Sequence, residues 1–190
     1  MEVFTDAYFM REALKLARRA MEEGEVPVGA VVVSGKRIIA KGYNQTELLK
    51  DSTAHAEMIA LTAAMDALGA KYLKDCTLYV SLEPCLMCAG ALRWSQIGRV
   101  VYAAADPHKG YARVEQLIPP GQETVLHPKT VVDRGLMATE AKALVDEFFD
   151  KLRTKKNVVA FLGQLPRFNP PTGLACGLVH AQYMFNHKNH

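Results

Sequence analysis

The apolar and polar positions along the chain predict strands and helices that follow one another in turn. An amphipathic helix is expected over residues 5–23, with apolar side chains at helical spacing and a glycine directly after it. Two apolar runs follow at 28–33 and 37–43, separated by the turn sequence Ser34-Gly35-Lys36. Two such runs joined by a short turn predict a β-hairpin.

The middle of the chain repeats a strand-to-helix pattern. We expect a polar loop over 44–54, a helix over 54–68, a strand over 77–82, a helix over 85–95 and a strand over 99–104. Strands that alternate with helices are typical of an α/β sandwich with parallel pairing in the centre of its sheet. The sequence therefore predicts the α/β class.

The final third of the chain is less regular. Residues 106–128 contain many prolines and glycines and are expected to form a loop, followed by a short strand at 130–132. A closing amphipathic helix is expected over 138–153, with five apolar side chains inward: Ala141, Leu144, Val145, Phe148 and Phe149. Because residues 157–190 show no sustained period, we place the main domain at 1–156 and treat 157–190 as a C-terminal extension.

Composition and charge narrow the class of protein. A chain of 190 residues, of which 49% are hydrophobic, is long enough for one domain with a sizeable core. The net charge of +3 permits a nucleic-acid partner without requiring one. The chain begins without a basic segment followed by an apolar core, and no apolar run approaches the roughly 18 residues that span a bilayer. We therefore expect neither a signal peptide nor a membrane partner.

The most informative stretch holds two cysteines three positions apart, directly after a strand. Pro84 ends that strand, and Cys85 and Cys88 then fall on one turn of a helix. A lone pair of this spacing is found both in redox motifs and in zinc sites. His55 decides between them, because one imidazole and two thiolates leave the fourth tetrahedral position of Zn²⁺ open, as in catalytic sites. Glu57 is then free to act as a general acid and base.

The position of His55 and Glu57 at a helix start sets a geometric condition. Residues two apart in a helix point about 200° away from each other, so both can face one ligand only if it lies above the helix end. The crowding of thiols beside this histidine favours reduced cysteines and a metal over disulfides, and hence a cytoplasmic protein.

These residues give the chain a family resemblance. His55-Ala56-Glu57 followed by the segment 84–88, Pro-Cys-Leu-Met-Cys, resembles the signature of the zinc-dependent nucleoside and nucleobase deaminases, the cytidine/deoxycytidylate deaminase superfamily. The chain is most similar to bacterial tRNA-specific adenosine deaminases of the TadA type, over about residues 5–153. That likeness is carried by six segments: 24–30, Asn44, 51–57, 82–91, 97–102 and Phe148-Phe149.

The resemblance implies a three-layer α/β/α sandwich with a mixed five-stranded sheet, a homodimer, and hydrolytic conversion of adenosine to inosine at the wobble position of a tRNA anticodon loop. By position, it implies that one Zn²⁺ per chain is held by His55, Cys85 and Cys88, and that Glu57 transfers protons. It implies three substrate-binding positions: Asn44, the backbone N–H of Ala56, and Asp106.

Two other functions stay open. The first is a deaminase of a free nucleobase or nucleoside of the guanine or cytosine type, and the second is a non-catalytic zinc-binding partner subunit. Glu57 speaks against the second, because a structural zinc site uses a fourth protein ligand and needs no proton shuttle. The chain departs from its relatives at Arg93-Trp94 and over 107–114, near the expected substrate mouth. Aromatic and cationic residues in these departures favour RNA over a free base: Trp94, Lys109, Tyr111 and Arg113.

Overall fold

The structure, a computed structural model, describes residues 4–164 and is built on one mixed sheet. The strands are β1 (Gly29–Ser34), β2 (Arg37–Tyr43), β3 (Cys76–Leu82), β4 (Arg99–Ala104) and β5 (Val131–Arg134). Their order across the sheet is β2-β1-β3-β4-β5. β1 is antiparallel to β2 and β3, whereas the β3–β4 and β4–β5 pairs are parallel. This is the mixed five-stranded sheet that the family resemblance implies.

Helices cover both faces of the sheet. They are α1 (Asp6–Glu22), α2 (Thr46–Leu49), α3 (Ala56–Leu68), α4 (Leu86–Trp94), α5 (Ala112–Glu115) and α6 (Ala138–Gln164). Successive residues of a strand point to opposite faces, so Val31 packs with α1 and α6 while Val32 packs with α3 and α4. The two resulting cores make a three-layer sandwich, and the fold prediction is confirmed.

Two glycines let helices lie directly on the sheet backbone. A Cβ atom at Gly29 would come within 2.2 Å of the Ala13 carbonyl oxygen of α1. At Gly42 it would come within 2.3 Å of the Ala56 carbonyl oxygen, in the first turn of α3. Both contacts are with backbone, which cannot move aside without shifting a helix.

The structure corrects several local predictions. The loops expected over 44–54 and 106–128 contain the short helices α2 and α5, which one helical turn of sequence does not reveal. The helices expected to include Ala54 and Cys85 begin one or two residues later, so His55 and Cys85 are N-cap residues. Phe149 was expected to face inward, but its side chain is 41% exposed.

The C-terminal boundary stays a prediction. Among the described residues, the boundary between two compact units falls after Leu152. The predicted extension at 157–190 lies mostly outside the described residues, as does Cys176. None of the helices in the described part of the chain combines the length and apolar character that a bilayer span requires.

Substitution of Gly29 and Gly42 tests the close packing of the helices on the sheet. Both variants should be less stable, but only one should be less active. We expect Gly29→Ala and Gly42→Ala each to lower the free energy of unfolding by about 1–3 kcal/mol, because the new methyl group overpacks against helix backbone. Urea unfolding followed by circular dichroism measures this loss. Only Gly42→Ala should also reduce turnover per folded molecule, because it displaces the turn of α3 that carries Glu57. Wild-type stability in Gly29→Ala would contradict the direct packing of α1 on β1.

Candidate active site

Two helix N-termini meet beside the sheet and bring the predicted ligands together. His55 is the N-cap of α3, with extended backbone angles, and Cys85 is the N-cap of α4. Cys88 lies in the first turn of α4 and is fully buried. The N-cap position explains how the side chains of His55 and Glu57 can both face one ligand. His55 stands before the helix, so the 200° separation of residues within a helix does not apply to this pair.

The distances among the three ligands suit tetrahedral zinc. The Nδ1 atom of His55 lies 3.6 Å from the Cys85 sulfur and 3.5 Å from the Cys88 sulfur. Zinc bonds of about 2.3 Å to sulfur and about 2.0–2.1 Å to nitrogen at a tetrahedral angle would separate these atoms by about 3.5–3.6 Å. All three ligand atoms lie within 4.8 Å of one another, and no other such group occurs among residues 4–164. The donor set and its spacing therefore fit Zn²⁺.

The two thiols shift each other's pKa in opposite directions. The hydrogen bond from Cys88 lowers the pKa of Cys85 to about 4. The same contact, together with burial, raises the pKa of Cys88 above its usual range. The hydrogen bond with Cys85 also raises the pKa of His55. A divalent cation at this point would displace the remaining proton, because a coordinated thiol is deprotonated.

Glu57 is a buried carboxyl group in the same site. It lies in the first turn of α3 and is shielded from solvent. Burial raises the pKa of Glu57 to about 7, because the charged form loses hydration. A carboxyl group that titrates near neutral pH can both accept and release a proton, as a general acid–base catalyst must.

A cavity of about 520 Å³ opens beside these groups, within the usual size range of small-molecule sites. Five of the predicted site residues line it: Asn44, His55, Glu57, Cys85 and Asp106. The other two, Cys88 and Ala56, are fully buried. The Ala56 N–H precedes the first hydrogen bond of α3, which Ile59 donates to the His55 carbonyl, so it has no acceptor within the helix.

Asp106 lies in a turn at the cavity wall. Its Oδ1 atom accepts hydrogen bonds from the backbone N–H groups of His108 and Lys109, at 2.9 and 3.0 Å. These bonds occupy one carboxylate oxygen and fix the direction of the side chain. The predicted substrate contact of Asp106 would therefore use Oδ2.

Sequence reasoning missed Glu83, which holds the loop that carries Asp106. Its buried carboxylate accepts hydrogen bonds from the backbone N–H groups of Asp106 and Ala112, each at 3.0 Å. A Cβ atom at Gly110 would lie 2.3 Å from the Glu83 carboxyl carbon, so only glycine fits there. The one signal in the sequence is an acid that directly follows a buried strand.

Sequence reasoning also missed Glu25, whose carboxylate binds the side chain of Asn44 at 3.2 Å. Glu25 belongs to the segment 24–30 that carries the family resemblance, but the sequence does not distinguish a buried acid from an exposed one. Phe149, on the distant helix α6, also lines the cavity.

The departures from the family pattern have mainly structural roles. Arg93 donates to the carbonyl oxygens of Thr124 and Leu126 and pairs with Glu123, so it braces a loop. Tyr111 is fully buried, and its hydroxyl has no partner among the described residues. Tyr111 is therefore not exposed as an aromatic contact for RNA, and its use as a sign of RNA binding is wrong.

Of the other three residues taken as signs of RNA binding, only Lys109 lines the cavity. Trp94 is 82% exposed on α4 and does not line it. Arg113 borders a second cavity, which shares Asp106 with the first.

With this geometry established, comparison with known proteins identifies the family. Residues 4–104 match the cytidine and deoxycytidylate deaminase zinc-binding region. The chain belongs to this family of zinc-dependent deaminases. The predicted family and the zinc cofactor are thereby confirmed.

The similar proteins include tRNA adenosine deaminases and a guanine deaminase. The tRNA-specific adenosine deaminase of Aquifex aeolicus (strain VF5) is 46% identical over 147 residues, which is 77% of this chain and 95% of that protein. A solved structure from studies of A-to-I editing by tRNA:A34 deaminases at the wobble position of transfer RNA has a TM-score of 0.66 and 41% identity, covering 72% of this chain and 98% of the other. Guanine deaminase from Nitrosomonas europaea has a TM-score of 0.62 and 28% identity, covering 76% and 84%.

Metal analysis tests the ligand group. We expect about one Zn²⁺ per chain by plasma mass spectrometry, and we expect Cys88→Ala to lose both the metal and stability, because binding to this site is coupled to folding. Cys76→Ala is the matched control, since Cys76 is also a buried free cysteine but lies outside the ligand group. It should keep its zinc. Normal zinc content in Cys88→Ala would contradict the assignment.

Proposed function

We propose that this protein is a hydrolase that deaminates adenosine to inosine at the wobble position of a tRNA anticodon. The observation that carries the proposal is one nucleoside-sized cavity lined by two of three zinc-compatible ligands and by the buried carboxyl group of Glu57. The similarity of this chain to tRNA adenosine deaminases over most of its length supports the choice of substrate.

In the proposed reaction, His55, Cys85 and Cys88 hold Zn²⁺, which supplies a water molecule activated at neutral pH. Glu57 accepts a proton from the attacking water and passes it to the ring nitrogen next to C6 of adenine. The hydroxyl group now bonded to C6 gives its remaining proton to Glu57, which delivers it to the amino group as the bond between C6 and that nitrogen breaks. Water and adenosine are consumed, and inosine and ammonia are formed. The Ala56 N–H and the Asn44 side chain hold the nucleoside in place.

An anticodon loop suits this site better than a duplex. The reacting atoms of a paired and stacked adenine are out of reach of a recessed site, whereas an unpaired loop nucleotide can turn into it. Lys109 at the cavity wall places a positive charge beside the opening, where it can attract RNA phosphates.

A free-base deaminase is the second candidate. It is favoured by the similarity to a guanine deaminase and by a cavity that would hold a free purine equally well. The third reading, a non-catalytic zinc-binding subunit, gives no reason for a buried carboxyl group beside an open metal position.

We also propose a homodimer that associates through α4. The outer side of this helix exposes the apolar side chains of Leu86, Met87 and Trp94, with Gly90 among them. Large apolar side chains clustered on one helix are typical of an interface between proteins. A second copy of this chain would cover them and leave an equivalent patch of its own to be covered in return.

The domain boundary and the location complete the proposal. We assign residues 1–156 to the deaminase domain and propose a cytoplasmic protein. The location is supported by the three free cysteines among the described residues, two of them zinc ligands, which a reducing compartment keeps available.

The substitution Glu57→Gln tests the proposed chemistry. The variant keeps the side-chain volume and all three metal ligands but cannot transfer a proton. Turnover of a tRNA with adenosine at the wobble position should fall by about 10²–10⁴-fold or more, with zinc content unchanged. Ammonia release and inosine content measure turnover. Free guanine, assayed in parallel, separates the two candidate substrates. Activity within about tenfold of wild type, with zinc bound, would refute the role of Glu57.

The proposed dimer has a test at one position. Analytical ultracentrifugation at micromolar concentration should give about twice the chain mass of 21.0 kDa for the wild type and for Trp94→Phe. Trp94→Asp should sediment as a monomer, because a carboxylate would be buried without a partner. An active wild-type monomer under these conditions would contradict the proposal.

A further inference from the structure

Glu25 is the centre of a buried hydrogen-bond network beside the cavity. Its side chain is only 1% exposed, and its two carboxylate oxygens accept four hydrogen bonds. Oε1 accepts from the backbone N–H groups of Glu47 and Leu48, each at 2.8 Å. Oε2 accepts from the Thr46 hydroxyl at 3.0 Å and from Nδ2 of Asn44 at 3.2 Å. A carboxylate so far from solvent needs such donors to offset its lost hydration.

This network determines which end of the Asn44 amide meets the cavity. A carboxylate can only accept, so the group that Asn44 turns toward Glu25 must be its NH₂. The Thr46 hydroxyl gives its proton to Glu25 and accepts the second Asn44 contact, at 3.3 Å. Both donors of the amide are then used within the protein. The remaining polar atom of this cavity-lining residue is its carbonyl oxygen, Oδ1.

We propose that Glu25 is a positioning residue that holds the Asn44 side chain with Oδ1 available to the cavity, so that the site selects a nucleoside group that donates a hydrogen bond. The inference rests on the proposed nucleoside substrate. In an RNA chain the target adenosine has two kinds of donor, the ribose 2′-hydroxyl and the 6-amino group. An amide turned the other way would present an NH₂, which cannot pair with the 6-amino group and could pair with the 2′-hydroxyl only if that hydroxyl acted as the acceptor.

Exchanging the acid and the amide between positions 25 and 44 tests the positioning role of Glu25. In Glu25→Gln, the introduced amide keeps an oxygen for Glu47 and Leu48 but presents an NH₂ to Asn44, so Asn44 must turn over. In Asn44→Asp, two carboxylates meet at hydrogen-bond distance and repel each other. When the two substitutions are combined, the glutamine NH₂ donates to the aspartate, whose second oxygen again faces the cavity. The exchange therefore restores an acceptor with the original net charge.

We expect each single substitution to lower kcat/KM for a wobble-adenosine tRNA by at least about tenfold, mainly through KM, because a site built to hydrogen-bond one group discriminates strongly when that bond is lost. The kcat/KM of the double variant should be at least about tenfold higher than that of the less active single variant. Zinc content and urea midpoint are measured for all four proteins. If the two single losses in kcat/KM instead multiply in the double variant, with zinc bound and folding intact, that result would overturn the proposal.

The source of the donated hydrogen bond is resolved with anticodon stem-loops that carry adenosine or 2′-deoxyadenosine at the target position. If Oδ1 meets the 2′-hydroxyl, the preference of the wild type for ribose should weaken in Glu25→Gln, where the hydroxyl can pair only as an acceptor, and should return in the double variant. If Oδ1 meets the 6-amino group, the preference for ribose should be the same in all four proteins. The double variant should still recover kcat/KM. Should the wild type act only on free guanine, the same four proteins are compared on guanine. The failure of the proposed substrate is then separate from the failure of the positioning role.

Discussion

The site depends on the meeting of two helix N-termini beside the sheet. His55 and Cys85 cap α3 and α4, and Cys88 follows one turn into α4. The N–H groups at both helix starts favour negative charge there, which suits thiolates, and the Cys88 N–H donates to the Cys85 sulfur. The direct packing of α3 on Gly42 fixes one of these helix starts, so the metal geometry depends on a contact made by a strand that contributes no ligand.

Three buried glutamates show how surroundings give one residue type different roles. Glu25 accepts four hydrogen bonds and Glu83 accepts two from backbone N–H groups, so both are held in place as part of the framework. For Glu57, burial outweighs the hydrogen bonds that would stabilise its charge, and its pKa rises to about 7. The carboxyl group least satisfied by the protein is the one available to transfer a proton.

The substrate mouth differs from the usual family pattern without disturbing the proposed chemistry. The loop after Asp106 is held to the framework by Glu83, and Tyr111 fills the interior instead of facing RNA. Arg93 braces the loop that contains Thr124 and Leu126. These changes alter how the rim is supported, while the groups that line the cavity keep the chemistry expected of a purine deaminase.

The sequence by itself determined the order of the elements, and it predicted the three residues that the structure groups as a possible metal site. Hydrophobic period, capping residues and the two short motifs, His55-Ala56-Glu57 and the Cys85–Cys88 pair, are local features, and each can be read within a few residues. The roles of Glu25, Glu83 and Tyr111 were decided only by the tertiary structure. Glu25 meets Asn44 across 19 positions of the chain, and Glu83 meets Ala112 across 29. Whether an acid is buried and satisfied, or an aromatic ring is exposed, depends on which distant segments pack around it, and no local pattern records that.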